Sequence, residues 1–340
     1  ALFSEVMDRA GRRRGAFMRR VAVRPREKPG LIVTVDSEEE FDWAAFRPGG
    51  HRAGDPRGLS RFSSVCASKG ARPIYFVTFP LIEDAGFAAW FRAEAAAGRA
   101  DLGLHLHQWV TPPLCGFDHE YYSWQMNLPR ALHREKLGLL AAAFEAAFGF
   151  RAGAHRAGRY GAAPETYEDL AEAGIRHDFS PSAAFDFSAR GGPDFSAVAN
   201  VPFTVDTASG TVFVTPVSGA RTIRGGRRML SHRGEAGLGG SQRGALPRVL
   251  TAPLRLSPEG SSFDDLTALT RHLAREGAPV LTLSLHSTTL TPGANAYAPD
   301  EAAVSAHLDL VARYLDFFTK DFGGALLDLA ALDALYARGS

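Results

Sequence analysis

Leu31-Ile-Val-Thr-Val-Asp36-Ser-Glu38-Glu-Glu-Phe-Asp-Trp43 runs five apolar or β-branched residues straight into a cluster of carboxylates. A buried parallel strand whose C-terminal end opens into a polar site has this composition. Such strand ends are where α/β proteins place their chemistry. Side-chain alternation predicts that Asp36 and Glu38 share one side, with Ser37 turned away. Two carboxylates in one small space suit a divalent metal, or a base whose pKa is tuned by its surroundings.

Outward from this stretch the chain alternates. A helix is expected over Leu59–Ser68, a strand over Pro73–Phe79, a helix carrying Phe87, Trp90, Phe91 and Ala95, and a strand over Asp101–His107. A long aromatic loop follows from Gln108 to Pro129, then a helix with Leu137, Leu140, Phe144 and Phe148, a strand over Ala152–Arg156, a helix after Pro164 and a strand over Ile175–Phe179. The rhythm then breaks at an insertion of about residues 180–250. Its first part reads as a hairpin, Val201–Val205 with Thr211–Val217. Its second part is a Gly/Arg-rich stretch without usable periodicity that holds Arg221, Arg224, Arg227, Arg228, Arg233 and Arg243. That stretch reads as a surface insertion, or as a basic lid over an anionic substrate. Helices around Leu266–Leu273 and Val304–Leu315 and strands over Val280–His286 and Ala325–Leu329 complete the pattern. Seven or eight such units predict an irregular (β/α) barrel over residues 29–338, with the long insertion after the fifth strand.

The 340 residues are 45% hydrophobic, enough for one large barrel, and the net charge is +1. Residues 1–28 form a basic arm with nine Lys or Arg against three Asp or Glu. An attraction to anionic lipid or nucleic acid is one reading of the arm; a disordered, solvated tail is the expected one, with no nucleic-acid partner. No apolar run approaches the ~20 residues of a membrane span. No apolar segment follows the basic one as in a secretory signal, so a cytoplasmic location is expected. Cys66 and Cys115 make neither a disulfide framework nor a metal-binding pair.

Three further strand ends carry chemistry. His105-Leu-His107 puts two imidazoles on one strand face, and with Glu38 or Asp36 they make the two-histidine, one-carboxylate set that suits Zn²⁺ or a similar ion with an open position. Arg156, in His155-Arg156-Ala-Gly158-Arg159-Tyr160-Gly161, can grip a carboxylate through two hydrogen bonds, and the glycine turn offers backbone N–H groups to a developing oxyanion. His286 closes the apolar strand Leu283-Ser-Leu-His286, where an imidazole can protonate a leaving group, with Asp178 as the group that orients it. Trp43, Trp109, Tyr122 and Trp124 could stack on sugar rings or pack the loop core.

As an ordered set, Thr34-Val-Asp36, Gly103-Leu-His105, Arg156 to Tyr160, Asp178 and Leu283 to His286 resemble the polysaccharide deacetylase (NodB-homology, carbohydrate esterase 4-like) family. Asp-Ser-Glu-Glu-Glu-Phe-Asp-Trp43, His105-Leu-His-Gln-Trp-Val-Thr-Pro-Pro113 and Pro292-Gly-Ala-Asn295-Ala-Tyr297 are similar to its WalW-like branch. The resemblance covers about residues 30–330. It implies a distorted (β/α) barrel and metal-dependent removal of an N-linked acyl group, usually acetyl, from an amino sugar in a polysaccharide, lipid-linked or nucleotide-linked precursor, with a phosphate-bearing substrate among the candidates. It implies Asp36 as general base, His105 as metal ligand, Arg156 as the residue holding Asp36, Tyr160 as a backbone oxyanion donor and His286 as general acid. Asn295, within the WalW-like segment, joins Trp43, Trp109 and Trp124 as a candidate substrate contact. Two positions depart from the family pattern: Ser37 stands where a second aspartate is usual, and Trp109 where the second histidine is. Glu38 and His107 are the replacements, giving a ligand set of Glu38, His105 and His107 for Zn, with Co or Mn as alternatives. The departures also raise a competing expectation, a catalytically silent sugar-binding or scaffold protein. A hydrolase of small non-sugar amides is a third.

Overall fold

The computed structural model describes residues 17–20, 28–41, 51–114, 116–117, 119–223, 229–230 and 250–337. The opening apolar run forms a strand over Gly30–Ser37 that is buried along its whole length. In chain order the strands are β1 (Phe17–Arg20), β2 (Gly30–Ser37), β3 (Glu40–Phe41), β4 (His51–Arg52), β5 (Ile74–Val77), β6 (Asp101–Leu106), β7 (Ala154–Ala157), β8 (His177–Asp178), β9 (Phe203–Asp206), β10 (Thr211–Val214), β11 (Gly219–Ile223), β12 (Thr251–Arg255), β13 (Val280–His286) and β14 (Ala325–Leu327). The helices are α1 (Arg57–Ser68), α2 (Phe79–Glu83), α3 (Ala85–Ala96), α4 (Arg130–Phe148), α5 (Pro164–Glu172), α6 (Phe263–Arg275), α7 (Glu301–Asp316) and α8 (Leu329–Ala337).

Ten strands make one curled sheet in the order β1-β9-β10-β8-β7-β6-β5-β2-β13, with β14 also on β2. Strand β9 alone is reversed, antiparallel to both of its neighbours β1 and β10, and every other pairing in the sheet is parallel. Strand β2 is central: β13 pairs along one edge from Gly30 to Asp36, while β14 takes the lower half of the other edge and β5 the upper half. Among the described residues no strand ladder closes the gap between β10 and β13. Single bonds bridge it, from Thr282 N to Ser218 Oγ, Thr282 Oγ1 to the Pro216 carbonyl and Ser284 N to the Leu256 carbonyl. The barrel is therefore distorted, as expected.

The period of two sorts the side chains. Leu31, Val33, Val35, Tyr75, Val77, Leu102 and Leu104 pack outward under the helices, while Ile32, Ile74, Phe76, Ala154, Phe179, Val280 and Leu327 fill the barrel. Leu332 and Tyr336 of α8 join that inner core. The lower interior is thus apolar, and the inward positions above it on the same strands are Asp36, His105, Arg156 and His286.

Three expectations change. The arm's Phe17–Arg20 is not a free tail, since its backbone pairs antiparallel with Phe203–Asp206; the rest of residues 1–27 lies outside the described residues. The hairpin of the insertion is part of the barrel wall, because β10 lies parallel beside β8. The stretch without periodicity begins as β11, paired antiparallel with β12 from Gly219↔Arg255 to Ile223↔Thr251. Arg224, Arg227, Arg228, Arg233 and Arg243 lie outside the described residues, so the basic-lid reading does too. No helix among the described residues is long and apolar enough to cross a membrane.

Candidate active site

At the C-terminal mouth of the barrel, Glu38, His105 and His107 bring one ligand atom each within 4.8 Å of one another. Glu38 Oε2 lies 3.5 Å from His107 Nε2 and 4.0 Å from His105 Nε2. Strand β2 ends at Ser37 and β6 at Leu106, so Glu38 and His107 sit one residue past regular strand. Strand parity alone therefore does not aim them. Ser287 holds Glu38 instead, its Oγ accepting from Glu38 N at 3.0 Å and donating to the Glu38 carbonyl at 3.2 Å. Gly158 leaves the room His107 needs, since a Cβ there would lie 2.6 Å from His107 Cδ2.

Both imidazoles present a bare Nε2. His105 Nδ1 donates to the Arg156 carbonyl at 2.8 Å, and His107 Nδ1 donates to Glu39 Oε1 at 2.9 Å. A metal-binding histidine held at its other nitrogen by a carbonyl or carboxylate has this arrangement. Glu39, buried behind His107, is a supporting residue that the strand pattern does not mark. Burial pushes the His105 imidazole well below its ordinary pKa, with repulsion from His107 adding to the effect. It is therefore neutral, as a ligand must be. For His107 burial works the same way but Glu39 and Glu38 outweigh it, and the value rises. Burial pushes the Glu38 carboxyl up to about 7 against the pull of His286 and His107. The set of two nitrogens and one carboxylate, in a pocket that disfavours bare negative charge, fits a divalent ion of the Zn type.

Opposite stands a second group. Asp36 accepts from Arg156 Nη1 at 2.5 Å and lies 3.7 Å from His286 Nε2. Arg156 is fully buried, and its other donors go to Thr34 Oγ1 (2.9 Å) and the Phe179 carbonyl (3.1 Å). It thus gives Asp36 one hydrogen bond, not the expected pair. Burial raises the Asp36 carboxyl, but the Arg156 guanidinium and then His105 and His286 overcome it and lower the value to about 2. His286 is oriented by Glu259: its Nδ1 donates to Glu259 Oε2 at 2.9 Å, and its backbone N reaches Glu259 Oε1 at 2.7 Å. Thr289 Oγ1 also donates to that carboxylate at 2.7 Å. Desolvation lowers the His286 pKa, yet Glu259 and Glu38 more than compensate and hold it well above 6.5, so the ring is an imidazolium at neutral pH.

Several expected residues act elsewhere. Asp178 does not orient His286. It accepts from buried His155 Nδ1 at 2.8 Å and from Ser180 N and Oγ, which fixes the wall between β7 and β8. Trp109 is 1% exposed and stacks on His107 at 4.2 Å between ring centroids, so its face is closed to a sugar. Trp124 is equally buried, its Nε1 donating to the Arg190 carbonyl and its ring covered by Arg159 at 4.3 Å. Asn295 spends its amide on Thr288 and Thr289 Oγ1 and on Tyr297 and Ala298 N, bracing the loop after β13. Trp43 lies outside the described residues. Tyr160 sits in a turn where Arg159 and Tyr160 both take positive φ, 53° and 63°, a backbone state uncommon for such residues and concentrated at functional sites.

No family model matches the sequence, and no curated protein matches it. Solved structures do. A protein assigned as a polysaccharide deacetylase from Mycobacterium smegmatis superposes with a TM-score of 0.54 at 15% identity, covering 92% of each chain. One assigned as a glycoside hydrolase/deacetylase from Parabacteroides distasonis gives 0.57 at 11% identity, over 94% of this chain and 71% of the other. The chain therefore has the distorted barrel fold of the polysaccharide deacetylases. Its likeness to the WalW-like branch rests on the sequence motifs alone.

Proposed function

We propose that the protein is a metal-dependent hydrolase that removes an N-acyl group, acetyl in the first instance, from an amino sugar. The observation that carries this reading is the facing of two stations at one barrel mouth, Glu38/His105/His107 and Asp36/Arg156/His286/Glu259. Two bare imidazole nitrogens and a carboxylate would hold a divalent ion, zinc being the expected one with cobalt or manganese as alternatives. When bound, such an ion supplies Lewis acidity, bringing the pKa of a coordinated water from ~16 to around 7.

The remaining roles belong to the chain itself. Asp36, held ionised by Arg156, would take the proton of the attacking water, for which a base must be unprotonated. His286, kept charged by Glu259, holds the proton that the departing amine needs. The backbone N–H of Tyr160 would be the donor to the developing oxyanion. The substrate is a glycan or a lipid-linked or nucleotide-linked precursor, and a cytoplasmic location accords with the precursors.

The test is metal analysis of protein purified without chelator, together with acetate release from a panel of N-acetylated sugars and small amides. We expect about one divalent ion per chain and turnover of sugars only. A chain with no ion and no activity after addition of Zn²⁺, Co²⁺ or Mn²⁺ would instead be the silent sugar-binding form that Ser37 and Trp109 suggest. Turnover of the small amides alone would make it an amide hydrolase of another class.

A further inference from the structure

Two arginines serve the barrel mouth, and their surroundings differ. Arg156 is spent on Asp36, Thr34 and the Phe179 carbonyl. Arg255, at the end of β12, has no carboxylate partner among the described residues. Its guanidinium is sandwiched between the rings of Tyr160 and Phe185, 4.5 and 4.4 Å from their centroids. One Nη2–H reaches Ser182 Oγ at 3.2 Å, and the buried Nε–H has no acceptor among the described residues. Beside it the buried Tyr160 hydroxyl also lacks a partner. Ring faces on both sides fix the plane of the guanidinium and leave its N–H edge to a ligand.

This pair belongs to the mouth by several links. Leu256, the next residue, accepts from Ser284 N, two residues before His286. Glu259, four residues on, holds the His286 ring. Tyr160 follows the strand that carries Arg156 and lies near enough to His286 to favour its charged form.

We propose that Arg255, with the Tyr160 hydroxyl, is an oxyanion-recognition subsite, so that the amino sugar carries a carboxylate or phosphate next to the acylated nitrogen. The idea rests on the amino-sugar deacetylase reading, but its chemistry can be measured separately. A planar, pre-oriented guanidinium with free edge donors binds such a group through charge-assisted hydrogen bonds, and a neutral sugar leaves those donors unmade.

The experiment is titration calorimetry and acetate release on wild type, R255K and R255Q, with three probes: a neutral N-acetylglucosamine oligomer, an N-acetylmuramic acid glycan and UDP-N-acetylglucosamine. Wild type should prefer one anionic probe over the neutral one by about tenfold or more in binding, as one charge-assisted bond provides. The carboxylate and phosphate probes tell the two anion sources apart. The preference should fall towards one in R255Q and stand between in R255K, with melting curves confirming that both variants fold. Equal binding of neutral and anionic probes by wild type, no binding of any, or a preference that survives in R255Q overturns the subsite. An Arg255-dependent preference with no acetate released from any probe keeps the subsite and removes the deacetylase reading.

Discussion

The two sides of the barrel mouth solve opposite electrostatic problems. On the Asp36 side every charge has its counter-charge inside the protein: Arg156 for Asp36, Glu259 for His286. On the Glu38 side the ion partner of the two imidazole Nε2 atoms among the described residues is a carboxylate whose pKa is pushed up to about 7. A buried site where two imidazole nitrogens and a carboxylate oxygen converge, and whose carboxyl burial pushes up to about 7, is suited to a ligand of positive charge. The difference teaches which side could take a metal and which is finished by folding alone. It also explains how one mouth can hold four carboxylates and three histidines without repulsion dominating.

Breaking the Glu38 side should have the largest effect on activity and little on the fold. H105A or H107A removes a ligand nitrogen, and we expect loss of the ion and at least about a thousandfold loss of acetate release, the rate equivalent of several kcal/mol. Metal analysis and circular dichroism of the same samples check this. Retained metal with unchanged activity would show that the two-histidine site is not the working one.

Breaking the Asp36 side should cost stability as well. D36N strands Arg156 as a buried, unpaired cation, which typically destabilises by about 3–5 kcal/mol, and it removes the proposed base, for a loss of roughly 10²–10⁴ in rate. Because the folded-state pKa of Asp36 is depressed, to about 2 from 3.8, its contribution is present above pH ~3.8 and is lost as pH falls through about 2. D36N should therefore abolish part of the acid destabilisation expected of wild type over that window, measured by urea melts at fixed pH.

Glu38 has the opposite sign. Its folded pKa is raised, so in metal-free protein its contribution is favourable below pH ~4.5 and is lost as pH rises through about 7. Metal must displace that proton. Affinity should climb with pH up to about 7, with between one and two protons released per ion at pH 6, from Glu38 and from His107, whose pKa is also raised, read from calorimetry in buffers of different ionisation enthalpy. A pH-independent affinity would mean that Glu38 is not a ligand. On the other side, E259Q should let His286 deprotonate at lower pH. That moves the alkaline limb of the activity profile downward by roughly one unit and lowers the rate about tenfold near neutrality.

How far this contrast could be read beforehand follows from where each residue sits. Asp36, His105, Arg156 and His286 end strands whose apolar runs are unmistakable, and inward alternation on neighbouring strands brings them to one face. Glu259 is equally important to the site but lies in Ser257-Pro-Glu-Gly260, after a strand inside a region without hydrophobic period. The acid that the sequence offers to orient His286 is Asp178, at the end of an earlier strand, which the register puts beside His155. The irregular stretch hid β11 and β12 for a related reason: Gly219–Ile223 carries one buried hydrophobic side chain, Ala220, so period-two patterning had nothing to mark. The aromatic loop misled differently, since composition cannot tell a ring that faces a sugar from one that faces a histidine.

Trp109 is the sharpest case of that ambiguity and gives the smallest effect. If it packs His107 as the 4.2 Å, 26° stack indicates, W109F keeps an aromatic face on the imidazole and trims only the larger ring. Such contacts are worth about 0.5–1.5 kcal/mol. A fall of that size in unfolding free energy is expected, together with a metal affinity lowered a few-fold as His107 gains freedom. The KM for sugars should stay within about twofold, because no sugar touches a ring that is 1% exposed. A rise in KM of tenfold or more with stability unchanged would return Trp109 to the substrate side. It would also mean that the loop after β6 opens in solution, leaving His107 less rigidly placed than its partner His105.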